Sequence, residues 1–100
     1  MEKLFIYGTL QNPKVQWKII RRAAKGIPNT LPGYKKSKIK IEDEIFPILI
    51  SQENGLVKGR VIEVTSKELT LIDRYETKAY KRIQVKLHSG ISAWVYIKND

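Results

Sequence analysis

The first candidate site is a short loop near the start of the sequence. A run of apolar and aromatic residues ends at Gly8, and a helix-start signal follows at Asn12-Pro13. A buried strand that breaks at glycine and leads into a helix aims successive backbone N–H groups at one point. Such a loop suits the carboxylate or developing oxyanion of a small ligand. The alternative is that the glycine only relieves a tight bend and that the preceding tyrosine is core. The loop residues are Tyr7, Gly8, Thr9 and Leu10.

Glu76 is the candidate acid–base group. Helical spacing places it on the same face as Leu69 and Ile72. A carboxyl group on an apolar stripe loses hydration, which raises its pKa and allows proton exchange near neutrality. The alternative is a helix-end carboxylate paired with a basic neighbour. The neighbours in question are Arg74, Lys78 and Arg82.

Tyr80 and Arg82 begin the strand that follows Glu76, so they are candidates for the same cavity. The alternative is that both lie on the strand surface. Other catalytic groups are missing from the sequence: there is no cysteine to act as a nucleophile or thiolate ligand, and one histidine cannot form a multi-histidine metal site. That histidine, His88, lies beside a predicted turn and is expected to be exposed, which argues against a Ser/His/Asp triad. We therefore predict no metal site.

Hydrophobic periodicity predicts the elements that must position these groups. Residues 3–8 form a short continuous apolar run, which predicts a strand buried on both faces. A first helix is predicted from Pro13 until Gly26 ends it, with Trp17 on one of its two apolar rows. A second helix is predicted after Thr65, whose hydroxyl group forms a capping box with Glu68.

The remaining segments alternate as strands do. Strand patterns are predicted from Gly33 to about residue 42 and at 46–50, 57–64, 80–87 and 93–97, with turns at 42–44 and at Ser89-Gly90. Asn54-Gly55 predicts a hairpin turn. Six short strands with two flanking helices indicate an α+β fold, a small mixed and mostly antiparallel β-barrel.

The composition indicates one globular domain, predicted to span residues 1–100. No apolar run approaches the ~20 residues that span a bilayer, so we expect a cytoplasmic protein without a membrane partner. The net charge is +9, but the bases are spread along the chain and form no basic arm. We interpret the charge as solvated surface, with a polyanion site as the alternative.

Taken together, these segments resemble the gamma-glutamylcyclotransferase-like superfamily, and more specifically its small gamma-glutamylamine cyclotransferase branch. The matching motifs occur in family order and cover most of the chain. They are Phe5–Leu10, Pro47 before an apolar strand, Val57–Val64, Leu71–Glu76, Tyr80–Arg82 and Ala93–Ile97.

The resemblance implies a small mixed barrel and a cofactor-free enzyme that releases 5-oxoproline from a gamma-glutamyl amine or peptide. By position, the 7–10 loop binds the substrate and Glu76 accepts and donates the proton. Residue chemistry agrees, because the substrate's own α-amine attacks its γ-carbonyl and the protein needs no nucleophile. Tyr80 and Arg82 are assigned to substrate binding, and Arg82 or Lys78 is the candidate partner of the substrate α-carboxylate.

Two features depart from the family pattern: Thr77 stands where glycine often follows the glutamate, and the chain is short for the family. A relative that binds a small acid without turnover therefore stays an alternative. So does a basic barrel that binds RNA or single-stranded DNA, which needs exposed aromatic residues beside its lysines. Trp17 and Trp94 are predicted on apolar faces instead. We expect a small-molecule gamma-glutamyl substrate and no nucleic-acid partner, and we leave a homodimer open.

Overall fold

Five strands and two α-helices form the fold in the computed structural model, which describes residues 1–99. The strands are β1 (Glu2–Ile6), β2 (Ile27–Ile41), β3 (Glu44–Val64), β4 (Tyr80–Lys86) and β5 (Ser92–Lys98), and the α-helices are α1 (Pro13–Ile20) and α2 (Ser66–Glu76). Short 3₁₀ turns at Thr9–Gln11 and Thr77–Ala79 follow β1 and α2.

The sheet is mixed and curled into a half-barrel. Its strand order is β2-β3-β1-β5-β4. β1 runs parallel to β5, while the other neighbouring pairs are antiparallel. The predicted α+β class, with a mostly antiparallel sheet and two flanking helices, is confirmed. Among residues 1–99 no helix has the length and apolar content that crossing a bilayer requires.

The central strand β1 is buried on both faces, as its continuous apolar run predicts. Leu4 and Ile6 pack in a core cluster with residues of both helices. Phe5 and Tyr7 pack in a second cluster, formed mainly by strand residues. The loop that follows β1 therefore leaves a rigid, fully packed strand.

Helix α1 begins where the sequence predicts and ends earlier. The Asn12 side chain caps it by accepting a hydrogen bond from the Lys14 N–H group at 2.9 Å. The predicted end at Gly26 is wrong, because Arg21 takes a left-handed φ of 61° and its N–H group bonds the Trp17 carbonyl. The Ala24 N–H group then bonds the side chain of Gln16 rather than continuing the helix.

The predicted burial of Trp17 is also wrong. Gln16 and Ile20 form the buried side of α1, and Trp17 lies about 100° round the helix from Gln16. Its side chain is 58% exposed. Trp94 is half-buried and has Arg82 over its ring, at 4.3 Å from the centroid. Burial therefore makes Trp94 unsuitable for stacking on nucleic-acid bases, whereas Trp17 is exposed.

The β2–β3 hairpin turns at Glu42 and Asp43, as predicted, but Asn54-Gly55 is not a hairpin turn. β3 is continuous through this pair, so two predicted strands merge and the sheet has five strands rather than six. The register shifts between Pro32 and Tyr34, so residues 52–55 form a bulge in β3. Asn54 has a φ of 65°. An Asn-Gly pair favours positive φ, and a bulge supplies it as well as a hairpin turn does.

Helix α2 begins with the predicted capping box. The Thr65 hydroxyl oxygen accepts a hydrogen bond from the Glu68 N–H group, and the Glu68 carboxylate accepts one from the Thr65 N–H group. Two hydrogen bonds from Arg22 lower the pKa of Glu68 to about 2. These contacts tie the start of α2 to the segment after α1, and α2 then carries Asp73 and Glu76 to the site.

Gly59 provides a test of the packing between β1 and β3. A methyl group there would lie 2.6 Å from Phe5 Cζ and would also collide with the Ile6 carbonyl oxygen. We expect Gly59→Ala to lower the free energy of unfolding by about 3 kcal/mol, because the β1 backbone at Ile6 cannot shift without disturbing the sheet. Gly90→Ala is the control, since that site is open and only its φ of 93° opposes alanine, at a cost of about 1 kcal/mol. Urea denaturation measures both, and equal losses would contradict the packing argument.

Candidate active site

A cavity of about 320 Å³ lies beyond the end of β1 and beside the end of α2. Six of the seven residues predicted for the site line it, namely Tyr7, Gly8, Thr9, Leu10, Glu76 and Tyr80. Sequence reasoning assigned no site role to several further lining residues, which are Phe5, Phe46, Pro47, Tyr75, Thr77, Ala79 and Tyr96. Two of these, Phe46 and Pro47, come from the β2–β3 hairpin, and no local pattern indicates that this hairpin reaches the cavity.

The loop after β1 presents free N–H groups. The Gly8 and Thr9 carbonyls accept hydrogen bonds from the N–H groups of Gln11 and Asn12, both at 3.0 Å. Within residues 1–99, however, no protein group accepts from the N–H groups of Gly8, Thr9 or Leu10. An anion at this loop would therefore meet donors that have no competing partner.

Gln16, which was not among the residues predicted for the site, holds this loop in place. Its side chain is buried, at 4% exposure. The amide nitrogen donates to the Leu10 carbonyl at 2.8 Å, and the amide oxygen accepts from the Ala24 N–H group at 2.7 Å. A glutamine in an otherwise amphipathic helix carries no signal of this role, because both partners are set by the tertiary fold.

Glu76 is half-buried in the cavity wall, and burial raises its pKa to about 7. Within residues 1–99 its carboxyl group makes no hydrogen bond and no ion pair. The alternative of a carboxylate paired with a basic neighbour is therefore not supported. An acid with this pKa exchanges protons readily at neutral pH.

Three tyrosines around Glu76 direct their hydroxyl groups to other acceptors. Tyr7 donates to the Tyr96 carbonyl at 2.7 Å, Tyr80 donates to the Pro47 carbonyl at 2.7 Å, and Tyr96 donates to the Asp73 carboxylate at 2.6 Å. Burial raises the pKa of all three phenols, and the charge of Glu76 raises each further. These neutral rings desolvate Glu76 without neutralising it.

Arg82 lies outside the lining of the cavity, contrary to the expectation that it shares the space with Glu76. Its guanidinium group forms two hydrogen bonds to Asp73, at 2.7 and 2.9 Å. Asp73 precedes Glu76 by three residues on α2, and it pairs with the Arg82 guanidinium group in place of Glu76. This pairing lowers the pKa of Asp73 and leaves Glu76 as the unpaired acid.

Thr77 shows how the chain accommodates its departure from the family pattern. It has a φ of 62°, a conformation that favours glycine and is strained for a β-branched residue. Its N–H group bonds the Asp73 carbonyl and closes the last turn of α2. The backbone after Glu76 therefore makes the turn that a glycine would favour, although the side chain differs.

The raised pKa predicts how stability depends on pH. The ordinary pKa of 4.5 applies to the unfolded chain and about 7 to the folded one, so folding favours protonated Glu76. Its contribution to stability is full below pH 4.5 and is lost as the pH rises to about 7. Glu76→Gln removes this dependence, so we expect the variant to exceed the wild type at about pH 8 by on the order of 1–2 kcal/mol, after allowance for solvent screening at the cavity mouth.

Thermal denaturation of both proteins between about pH 4 and about pH 8 measures this difference. Glu63→Gln, the same change at an exposed acid, serves as the control. A gap between Glu76→Gln and the wild type that does not widen with pH would show that Glu76 is not desolvated.

Comparison with known proteins gives a family match and several relatives. The family model described as "Gamma-glutamyl cyclotransferase, AIG2-like" matches residues 4–100. The chain is 32% identical over 88 residues to AIG2-like protein B of Arabidopsis thaliana, covering 87% of this chain and 50% of that protein. It is 34% identical over 85 residues to Protein AIG2 C of the same plant, covering 84% of this chain and 50% of that protein. The chain thus spans about half the length of these curated relatives.

Solved structures share the fold. The solution structure of an Arabidopsis thaliana protein superposes with a TM-score of 0.82 at 29% identity, covering 97% of this chain and 61% of that one. A structure named "Gamma-glutamyl cyclotransferase" also gives a TM-score of 0.82, at 17% identity, covering 99% of this chain and 67% of that one. At that identity the second match shows the common fold alone.

Proposed function

The chain belongs to the gamma-glutamyl cyclotransferase, AIG2-like family, and from that membership we propose that it releases 5-oxoproline from a gamma-glutamyl amine or peptide. One observation carries the proposal: an unpaired, half-buried glutamate with a pKa of about 7 shares a cavity with a loop of free N–H groups. An acid–base group and an anion site are what this cyclisation requires from a protein.

The loop supplies the donors for the anionic parts of the substrate. Among the described residues that line the cavity there is no lysine or arginine. The N–H groups of Gly8, Thr9 and Leu10, with the Thr9 hydroxyl group, are the donors for the α-carboxylate and for the oxyanion of the tetrahedral intermediate. Because Gln16 and β1 hold the loop rigid, these donors need no reorganisation during the reaction.

Glu76 moves the protons. As a carboxylate it takes one proton from the substrate ammonium group, whose pKa is about 8. The free amine then attacks the γ-carbonyl carbon, forming the ring C–N bond, and the tetrahedral intermediate breaks its bond to the leaving nitrogen as Glu76 returns the proton there. The second proton that the ring nitrogen loses passes through the same carboxylate to the released amine or to solvent.

The tyrosine walls support the chemistry indirectly. They exclude water from part of the cavity and keep the acid poorly hydrated, which brings its pKa close to that of the substrate ammonium group. The cavity also holds the glutamyl chain in a folded conformation, so that amine and carbonyl meet within one bound molecule.

Glu76→Gln tests the proton-transfer role. The amide keeps the shape of the side chain but cannot accept a proton, so we expect kcat/KM for 5-oxoproline release to fall by about 10²–10⁴. Product is measured by chromatography with gamma-glutamyl amines and dipeptides as substrates, and Glu63→Gln is the matched control. Retained turnover in Glu76→Gln would refute the mechanism. Wild-type protein that binds these compounds without releasing 5-oxoproline would favour the non-catalytic alternative.

The pH profile gives a second test. Because Glu76 must be ionised to accept a proton, kcat/KM is expected to rise with pH up to about 7 and then to level off. Steady-state rates over this range measure the acid limb. An acid limb near the ordinary glutamate pKa of 4.5 would mean that another environment, or another group, governs the reaction.

A further inference from the structure

The outer edge of β2 is a free edge of the sheet. β2 pairs with β3 on one side and stands last in the strand order. In an antiparallel pair, alternate residues direct their N–H and C=O groups toward the partner strand, and the residues between them direct theirs away from it. The residues of β2 that face away from β3 therefore decide what this edge can bind.

Two observations identify those residues. In the first half of β2, the Thr30 carbonyl accepts a hydrogen bond from the His88 N–H group at 2.9 Å, so Thr30 faces away from β3. In the second half, Lys38 lies opposite Pro47 of β3. The Pro47 carbonyl accepts from the Tyr80 hydroxyl group at 2.7 Å, and proline has no N–H group. Pro47 therefore exchanges no hydrogen bonds with Lys38, and Lys38 faces the free edge.

The two halves of this edge differ in their backbone groups. In the first half, Pro28 and Pro32 face outward and have no N–H group, so this half is closed to another strand. In the second half, Lys36 and Lys40 share the outward orientation of Lys38. In the part of the chain that the structure describes, no group bonds the outward N–H and C=O groups of these three lysines. The second half of β2 is therefore an open edge.

This open edge is also strongly basic. Its four lysines are exposed, and none of them forms an ion pair with a described residue. Residues two apart in a strand point to the same face at a spacing of ~6.8 Å, so Lys36, Lys38 and Lys40 form a row of charges along the edge. No acid lies opposite any of the four lysines on β3. The opposite residues of Lys35, Lys36, Lys38 and Lys40 are Ile50, Leu49, Pro47 and Ile45, respectively.

Charge and backbone geometry together favour one kind of occupant. A second copy of β2 paired antiparallel about Lys38 would place lysines opposite lysines, which destabilises a strand pair. A single-stranded nucleic acid leaves the outward N–H and C=O groups without partners and needs exposed aromatic residues for stacking, whereas Tyr34 and Phe46 of this hairpin are half-buried. An extended peptide with an acid at every second position satisfies both the backbone groups and the charges.

We propose that the second half of β2 is a docking edge for an acidic, extended segment of a partner protein, which adds to the sheet as a sixth strand. The acidic side chains of this segment lie opposite Lys36, Lys38 and Lys40. The residues between them lie on the face of Ile39 and of the exposed Ile41, which suits apolar side chains. The interaction does not depend on the proposed activity, and no described residue of β2 lines the cavity.

A synthetic peptide that alternates valine and glutamate tests the proposal. It has blocked ends and three glutamates, one for each lysine of the row. We expect fluorescence anisotropy to show binding, and we expect Kd to rise roughly tenfold or more when the glutamates are replaced by glutamine. Methylation of the glutamate backbone nitrogens should weaken binding as much. This second control keeps the charges and removes the main-chain donors, so it separates strand addition from charge attraction alone.

Variants assign the binding to this edge. Lys38→Pro removes an outward N–H group without removing a hydrogen bond to β3, as Pro28 and Pro32 do in the same strand, so we expect it to abolish binding of the peptide. Changing all three lysines of the row to glutamine is the second variant, and it replaces exposed side chains without loss of packing. Lys18→Gln, at an exposed lysine of α1, is the matched control and should bind as the wild type does.

Hydrogen exchange measures the strand pairing directly. In the free protein we expect the amides of Lys36, Lys38 and Lys40 to exchange quickly and those of Ser37 and Ile39, which face β3, to exchange slowly. The peptide should slow the first three. Absence of binding up to ~1 mM peptide, binding without slower exchange, or equal binding of the methylated peptide would overturn the proposal. Binding of a single-stranded oligonucleotide without binding of the peptide would also overturn it.

Discussion

A carboxyl group that is buried beside a cavity usually pairs with a cationic side chain. Glu76 does not, and the arrangement of this molecule depends on that difference. Arg82, the cation that the sequence placed near Glu76, is held by Asp73 through two hydrogen bonds. The surrounding phenols donate to Pro47, Tyr96 and Asp73 rather than to Glu76. Burial therefore acts on Glu76 without compensation, and the pKa rises to about 7. The unfavourable burial of one charge is therefore the physical source of this raised pKa.

The rest of the fold holds the opposing face of the cavity still. β1 packs on both sides, so the loop that follows it begins from a fixed position. Gln16 then anchors that loop to the segment beyond α1. The β2–β3 hairpin contributes its own wall, and the bond between Tyr80 and the Pro47 carbonyl ties that wall to β4. Parts of the chain that are far apart in the sequence thus meet at one cavity.

Much of this could be predicted from the sequence because the signals are local. Three correct predictions depend on residues only a few positions apart. These are the capping by Asn12 and Thr65, the burial of β1 on both faces, and the position of Glu76 on an apolar stripe. The errors have a different origin. Asn54-Gly55 specifies positive φ, which a bulge and a hairpin turn both supply, so the pair by itself could not identify the turn. The end of α1 carried no local signal, because the left-handed residue that ends it is Arg21 and not a glycine.

The sequence by itself determined the family resemblance, the fold class and the two segments that face each other across the cavity, because periodicity and capping act over one or two turns of chain. Only the tertiary structure decided which acid keeps a partner and which does not. Asp73 and Glu76 lie on the same helix, three residues apart, and both precede Arg82 at accessible spacings. The folded sheet places the guanidinium group of Arg82 within hydrogen-bonding distance of Asp73. Because hydrogen bonds depend steeply on distance, the spacing of residues along the chain does not specify which acid forms them.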